Sequence, residues 1–268
     1  MDFVKYHGTG NDFIIIDNRD NNYLKNLNNK QKKIRELCLR RTGIGADGLI
    51  EVEASTNSDF KMFYYNSDGR EGPLCGNGGR CIAAFAWQNN IADKNMQFEA
   101  SDGIHDARII ESKNNTVLVD LKISDIFDIF IHNDYMVINT GAPHYVSFID
   151  NLNDVNMYEE GKKIRHHENF FPEGVNVNFV EPFKDHLFVR TFERGVENET
   201  LSCGTGVTAA AIAAHLKGIE YKANNYPILT KGGKLNISFK PDKKNKKFKE
   251  VWLKGNAVKV FEGNLVNT

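Results

Sequence analysis

Short apolar-rich runs, separated by polar and glycine-rich turns, make up most of the chain. They predict strands at Phe3 to Tyr6, Phe13 to Asp17, Leu49 to Val52, Phe60 to Tyr65, Met96 to Ala100, Ile104 to Ile110 and Thr116 to Ile123. Later runs predict strands at Leu187 to Phe192, Lys234 to Phe239, Glu250 to Lys254 and Ala257 to Phe261, and Ile138 to Val146 resembles the stretch from Thr9 to Ile14. Lys30 to Arg41 has helical spacing, with Ile34, Leu37 and Cys38 on one face. Asn21 to Asn29 and Asn66 to Pro73 are polar connections, Asn151 to Phe171 is a mixed helix and loop, and Pro241 to Lys247 is a hairpin turn. Two stretches depart from this pattern: Cys75-Gly-Asn-Gly-Gly-Arg-Cys-Ile-Ala-Ala-Phe-Ala-Trp87 and Cys203-Gly-Thr-Gly-Val-Thr-Ala-Ala-Ala-Ile-Ala-Ala214. Each is a cysteine, a glycine-rich turn and a run of small apolar residues with no polar stripe. Such a run predicts a helix buried on all sides.

The two stretches are part of a longer repeat. Thr9-Gly10 recurs as Thr140-Gly141, Gly43 as Gly174 and Cys75 as Cys203, at offsets of 131, 131 and 128 residues. The same order at nearly constant separation indicates a duplicated domain rather than a short-period solenoid. A site shared by two such halves is expected in the cleft between them, with Cys75 and Cys203 on its opposite sides. A hinge is expected in the linker of about residues 123 to 135.

Composition narrows the partners. The 268 residues carry 34 basic and 35 acidic side chains, so nothing points to nucleic acid or an acidic membrane. Four cysteines are too few for a disulfide framework, and no signal peptide or membrane span is recognisable. A soluble protein of a reducing cytoplasm is expected.

The first N–H groups of a helix carry partial positive charge, which lowers the pKa of a nearby thiol and attracts carboxylates. Each stretch could therefore hold a tuned thiol beside a carboxylate notch. A hydrolase needs one nucleophile, and a redox pair usually has its cysteines close in sequence. Inverting a carbon centre needs a base on one face and an acid on the other, and cysteine can serve as either. One sulfur would rest as thiolate and the other as thiol, with coupled titrations.

At this point the residues resemble the diaminopimelate epimerase family. The resemblance is carried by His7-Gly-Thr-Gly-Asn-Asp-Phe13, Gly43-Ile-Gly-Ala-Asp47, Asn66-Ser-Asp-Gly69, Cys75-Gly-Asn-Gly78, Pro143-His144, Gly174-Val-Asn-Val177, Glu193-Arg-Gly195 and Cys203-Gly-Thr-Gly206. It implies interconversion of LL- and meso-2,6-diaminopimelate for lysine and peptidoglycan precursors. It also implies a cytoplasmic homodimer with neither pyridoxal phosphate nor metal. It makes Cys75 and Cys203 the acid/base pair and His144 and Glu193 the residues that tune them. Asn11, Asn66, Asn176, Glu193 and Arg194 match substrate-binding positions, while Gly76, Asn77, Gly204 and Thr205 match the carboxylate-binding helix starts. Two positions depart from the family pattern: Gly48 stands where glutamine is common, and Ala142 where asparagine is common.

The expected fold is α/β (α+β), with two pseudo-symmetric domains, each a mostly antiparallel barrel-like sheet around its central buried helix. The halves are expected at 1–122, with a returning strand at 257–268, and at 123–256. Cys38 and Cys81 are expected to be core thiols. His166-His167 and the basic stretch Lys243 to Lys249 are expected to be solvated. No zinc, Rossmann or P-loop spacing is present. Three other readings stay open on the residues alone: a racemase of proline, hydroxyproline or histidine, a thiol redox protein, and an amino-acid binding module without turnover.

Overall fold

The computed structural model describes residues 1–20, 29–170, 172–242 and 247–265. Most of the polar connection at 21–29 and the tip of the basic hairpin at 243–246 lie outside the described residues. The chain divides into two compact units, Met1–Leu121 together with the segment from Gly255, and Lys122–Lys254.

The first unit contains β1 (Asp2–Gly8), β2 (Asn11–Asp17), α1 (Lys30–Cys38), β3 (Gly48–Glu53), β4 (Phe60–Asn66), β5 (Glu71–Gly72), α2 (Gly76–Gln88), β6 (Asn95–Ala100), β7 (Gly103–Lys113) and β8 (Thr116–Ile123). Strands β1–β2, β3–β4, β6–β7 and β7–β8 pair antiparallel. Two joints are parallel, β2–β3 and β4–β6, and each is bridged by a helix, as a parallel crossover requires. The final strand pairs antiparallel with β1 and also with β8, so the ring closes into a barrel. Helix α2 fills it. Every residue from Gly76 to Ala86 is buried, because alanine and glycine let strands approach from all sides. Helix α1 covers the outside. Asn29 caps it by accepting from Lys32 N at 3.1 Å, and Ile34, Leu37 and Cys38 pack with Ile14, Ile16 and Leu49.

The second unit repeats this order with β9 (Ile129–Ile131), β10 (Met136–Asn139), β11 (Pro143–Phe148), α3 (Met157–Arg165), β12 (Asn176–Pro182), β13 (Leu187–Glu193), β14 (Asn198–Thr200), α4 (Gly204–Leu216), β15 (Asn225–Thr230), β16 (Gly233–Asp242) and β17 (Lys247–Asn264). Strand β11 pairs parallel with β12, and β13 with β15, again across a helix in each case. The pairs β10–β11, β12–β13 and β15–β16 are antiparallel. Helix α4 is buried at every position from Gly206 to Ala214. The mostly antiparallel, barrel-like sheet with a buried helix, expected from the sequence, is therefore present in both halves.

The structure corrects the expected elements in several places. The strands expected at Glu250 to Lys254 and Ala257 to Phe261 are one continuous strand, β17, with Glu250 at φ 50°. The expected linker at 123–135 contains β9, which pairs with β10, and a bridge from Ile126 to Phe248. The turn before Cys75 contains β5, which pairs with β4. Strand β15 falls on a stretch with no expected element. His166 is exposed, but its Nε2 lies 3.3 Å from Glu197 Oε2.

Candidate active site

Both cysteines of the repeated motif are the residues just before a buried helix. Cys75 precedes α2 at φ −88°, ψ 122°, and Cys203 precedes α4 at φ −116°, ψ 113°. The extended backbone makes each cysteine the capping residue, just ahead of the first N–H groups of its helix. Cys75 is half-buried and Cys203 is buried. The other two thiols are core residues. Burial pushes Cys38 up to about 11 and raises Cys81 further still.

Around Cys75, its Sγ lies 3.5 Å from Asn11 Oδ1. Asn77 Nδ2 donates to the same oxygen at 3.3 Å. Asn11 Nδ2 donates to Asp47 Oδ2 at 2.8 Å, and Arg40 holds Asp47 and Asp12. Beneath this lies Arg80, whose side chain is fully buried inside the barrel. It donates to Gly76 O at 3.2 Å, Thr9 Oγ1 at 3.1 Å and Asn77 Oδ1 at 2.9 Å. Arg80 thus fixes the first turn of α2 and the turn between β1 and β2 against each other. Asn66 ends β4, opposite Gly48. Its side chain accepts from Tyr64 Oη at 3.0 Å and donates to Arg70 O at 3.5 Å. At Gly48, a Cβ would stand 2.6 Å from Tyr64 Cε2 and from Tyr65 O. Tyr64 therefore fills the space that a glutamine at 48 would need.

Around Cys203, its Sγ lies 3.4 Å from Thr205 Oγ1. His144 Nε2 lies 2.9 Å from the same hydroxyl, and His144 Nδ1 is 3.1 Å from Asn178 Nδ2. Asn178 Nδ2 also donates to Tyr145 O at 2.9 Å, and its Oδ1 accepts from Thr191 Oγ1 at 2.9 Å. Gly206 gives this amide room, since a Cβ there would be 2.3 Å from Asn178 Oδ1. Asn176 ties two loops together. Its Oδ1 accepts from Arg194 N at 2.9 Å, and its Nδ2 donates to Pro143 O at 3.4 Å. Glu193 accepts from Thr200 Oγ1. The Arg194 guanidinium is one-third exposed and lies 4.0 Å from Glu173 Oε2. Ala142 sits in the turn between β10 and β11, where its carbonyl accepts from Thr140 N at 3.1 Å.

The first unit thus brings together Cys75, Gly76, Asn77 and Asn11, and the second brings together Cys203, Gly204, Thr205 and His144. Asn66 bonds within its own turn. Sequence reasoning missed Arg80, Asn178 and Thr191. The signals were there: one arginine inside a run of small apolar residues, and Asn176 and Asn178 two apart in a stretch whose other residues from Val175 to Val180 are apolar. Among the described residues, no group of three or more His, Cys, Asp and Glu side chains is placed to hold a metal ion. No helix among them is long and apolar enough to cross a membrane.

Burial pushes the His144 imidazole down to about 3, and the Arg194 charge adds to this. His144 is neutral in the folded protein at neutral pH. The unfolded chain takes up this proton near pH 6.5 and the folded chain only near 3, so the contribution is complete above about 6.5 and is lost as pH falls. The expected slope is about 1.4 kcal/mol per pH unit in that window. His144→Gln should show a shallower loss of stability between about pH 6 and 4, measured by denaturant titration. Equal slopes for both proteins would mean that His144 is protonated in the fold.

A family model described as diaminopimelate epimerase matches residues 3–122 and 136–260. A diaminopimelate epimerase of Flavobacterium psychrophilum is 47% identical over 263 residues, covering 98% of this chain and 99% of that protein. One of Aquifex aeolicus is 40% identical over 287 residues, covering 99% and 98%. Among solved structures, a phenazine biosynthesis protein of the PhzF family from Bacillus anthracis superposes with TM-score 0.78 at 14% identity, covering 100% of this chain and 99% of that one. A probable proline racemase from Agrobacterium radiobacter gives TM-score 0.72 at 13% identity, covering 99% and 92%. These likenesses show a shared two-domain α+β fold. With the family model spanning both cysteine-led helices, the chain belongs to the diaminopimelate epimerase family.

Proposed function

We propose that the protein interconverts LL- and meso-2,6-diaminopimelate by moving a proton on and off one α-carbon, in the biosynthesis of lysine and peptidoglycan precursors. Cys75 and Cys203 are the acid and base on opposite faces of that carbon. The observation that carries this reading is the recurrence of a thiol at the start of a buried helix in both halves of a chain that matches the family nearly end to end. The N–H groups at Gly76 and Asn77, and at Gly204 and Thr205, are the candidates to receive the substrate carboxylate and the charge that spreads onto it as the α-proton leaves. His144 and Glu193 act on the thiols from behind, and Asn11, Asn66, Asn176 and Arg194 orient the substrate.

No pyridoxal phosphate or metal takes part in this reading, because the thiol pair provides both proton transfers. A cytoplasmic setting follows from chemistry that needs reduced thiols. Homodimeric assembly rests on the family resemblance alone. The decisive experiment incubates LL-diaminopimelate with the protein in D₂O and follows α-deuterium and the meso product. Deuterium at the α-carbon together with meso product is expected; no exchange at all would sink the proposal. A panel with proline, hydroxyproline and histidine tests the neighbouring racemase activities, which are expected to be absent.

Arg194 is the candidate for the distal carboxylate, which proline lacks. A guanidinium grips a carboxylate through two parallel hydrogen bonds, and lysine cannot copy that geometry. Arg194→Lys should raise KM for diaminopimelate roughly tenfold or more. An unchanged KM would remove Arg194 from that role.

A further inference from the structure

The directions of the hydrogen bonds around the two sulfurs distinguish them. Tyr145 O can only accept, so the Asn178 atom 2.9 Å from it is the amide nitrogen. That nitrogen also points at His144 Nδ1, 3.1 Å away, which makes Nδ1 the accepting nitrogen and puts the ring proton on Nε2. Nε2 therefore donates to Thr205 Oγ1 at 2.9 Å. The Thr205 hydroxyl hydrogen is left to point elsewhere, and Cys203 Sγ lies 3.4 Å away. A hydrogen bond donated to sulfur favours the thiolate.

At Cys75 the direction is reversed. Asp47 Oδ2 accepts from Asn11 Nδ2 at 2.8 Å, so Asn11 Oδ1 is the atom that faces Cys75 Sγ at 3.5 Å. An amide oxygen has no proton to give, so here the sulfur is the donor and is therefore a thiol. The surrounding charges pull both ways. Arg80 lies behind Cys75 and favours a thiolate there, while Asp47 opposes it, as does Asp102, which accepts from Leu74 N at 3.4 Å beside His105 at 3.2 Å. Around the Cys203 network, Arg194 favours a thiolate, Glu193 opposes it and His144 is neutral.

We propose that hydrogen-bond direction sets the resting protonation of the pair: Asn178, acting through His144 and Thr205, makes Cys203 the thiolate, and Asn11 makes Cys75 the thiol. Asn178 is thereby a positioning residue for the reaction. This rests on the two-thiol reading of the function. The epimer whose α-hydrogen faces Cys203 meets a ready base. Its proton passes to the Cys203 sulfur, and the Cys75 thiol gives its own proton to the opposite face of the carbanion. The protein is left as Cys203 thiol and Cys75 thiolate. It returns to rest when Cys203 releases a proton to water and Cys75 takes one up.

The test reads the free protein, so it does not depend on turnover. Brief alkylation with iodoacetamide across a range of pH, followed by peptide mapping, gives the titration of each sulfur. At neutral pH, Cys203 should be labelled before Cys75, although it is only 8% exposed and Cys75 is the more accessible. Thr205→Val should move the Cys203 profile up by about one to two pH units, the size of a lost hydrogen bond to a charged group. Thr205→Ser should restore it. Asn178→Asp turns the relay round, because a carboxylate accepts from Nδ1; it should move the Cys203 profile the same way as Thr205→Val and leave the Cys75 profile in place. Cys75 labelled first at neutral pH would mean that Arg80 wins and would overturn the proposal, as would a Cys203 profile indifferent to Thr205→Val. If the alkylation order is as expected but no α-deuterium appears in the D₂O experiment, the assigned activity fails while the polarity of the thiols stands.

Discussion

Replacing either Cys75 or Cys203 with serine should leave a folded protein whose epimerisation is slower by about 10³-fold or more, within or beyond the range for losing a positioned acid or base. Inversion needs both partners, since a proton removed from one face must be replaced from the other. A hydroxyl cannot share that task, because its proton leaves many pH units above that of a thiol. The fold should survive for a local reason. Neither sulfur makes a side-chain cap bond to its helix, and serine at the residue before a helix start is a good cap. Thermal melting should therefore be unchanged or slightly raised, while meso product falls. Either variant with near wild-type turnover would end the two-thiol mechanism.

The largest expected loss of stability lies away from the thiols, at Arg190. Its side chain, 7% exposed, holds Glu199 through two bonds, Nε to Oε1 at 2.6 Å and a terminal nitrogen to Oε2 at 2.8 Å. It also donates to Leu152 O at 2.8 Å and Val155 O at 3.0 Å, tying the loop before α3 to β13. Burial alone would raise the Glu199 carboxyl, but the bonds from Arg190 and Lys231 outweigh it and hold the group below its ordinary value. Arg190→Ala strips a half-buried carboxylate of its main partner and leaves two carbonyls unmet. The expected cost is about 3 kcal/mol, read as a lower midpoint in urea at neutral pH. Because the folded carboxyl is depressed, the wild-type contribution is present above the ordinary glutamate range and is lost as pH falls through it. The gap between wild type and variant should therefore narrow in acid. A gap below about 1 kcal/mol would show that the pair behaves as an exposed one.

The two buried helices, their leading cysteines and the order of the repeat were legible because each depends on local composition. A run of alanines flanked by glycine has few places to go except a crowded interior. Strand β15 was not legible because Pro227 interrupts it. The parallel pairing with β13 begins only at Ile228, one residue past the proline, so the missing N–H costs nothing there. The continuity of β17 was hidden by Gly255-Asn256, which has the composition of a turn but lies within the strand. At the site, residue types on the two helix starts could be read, but hydrogen-bond direction could not. That Asn178 lies between Tyr145 O and His144 follows from β11 and β12 pairing in parallel, with Val146 beside Asn178. No spacing within either strand encodes that register.

Strand β17 belongs to the second unit up to Lys254 and to the first from Gly255, where it pairs with β1. The first barrel is thus completed by residues that leave the ribosome only after the whole second unit has been made. At roughly 5–20 residues per second, on the order of ten seconds or more separate the synthesis of β8 from that of its closing neighbour. During that interval β1 has an unpaired edge and α2 lacks one wall of its enclosure. A nascent chain in this state is a natural client for holding chaperones, and a message truncated shortly before Gly255 would leave the first barrel open while the second unit is nearly whole.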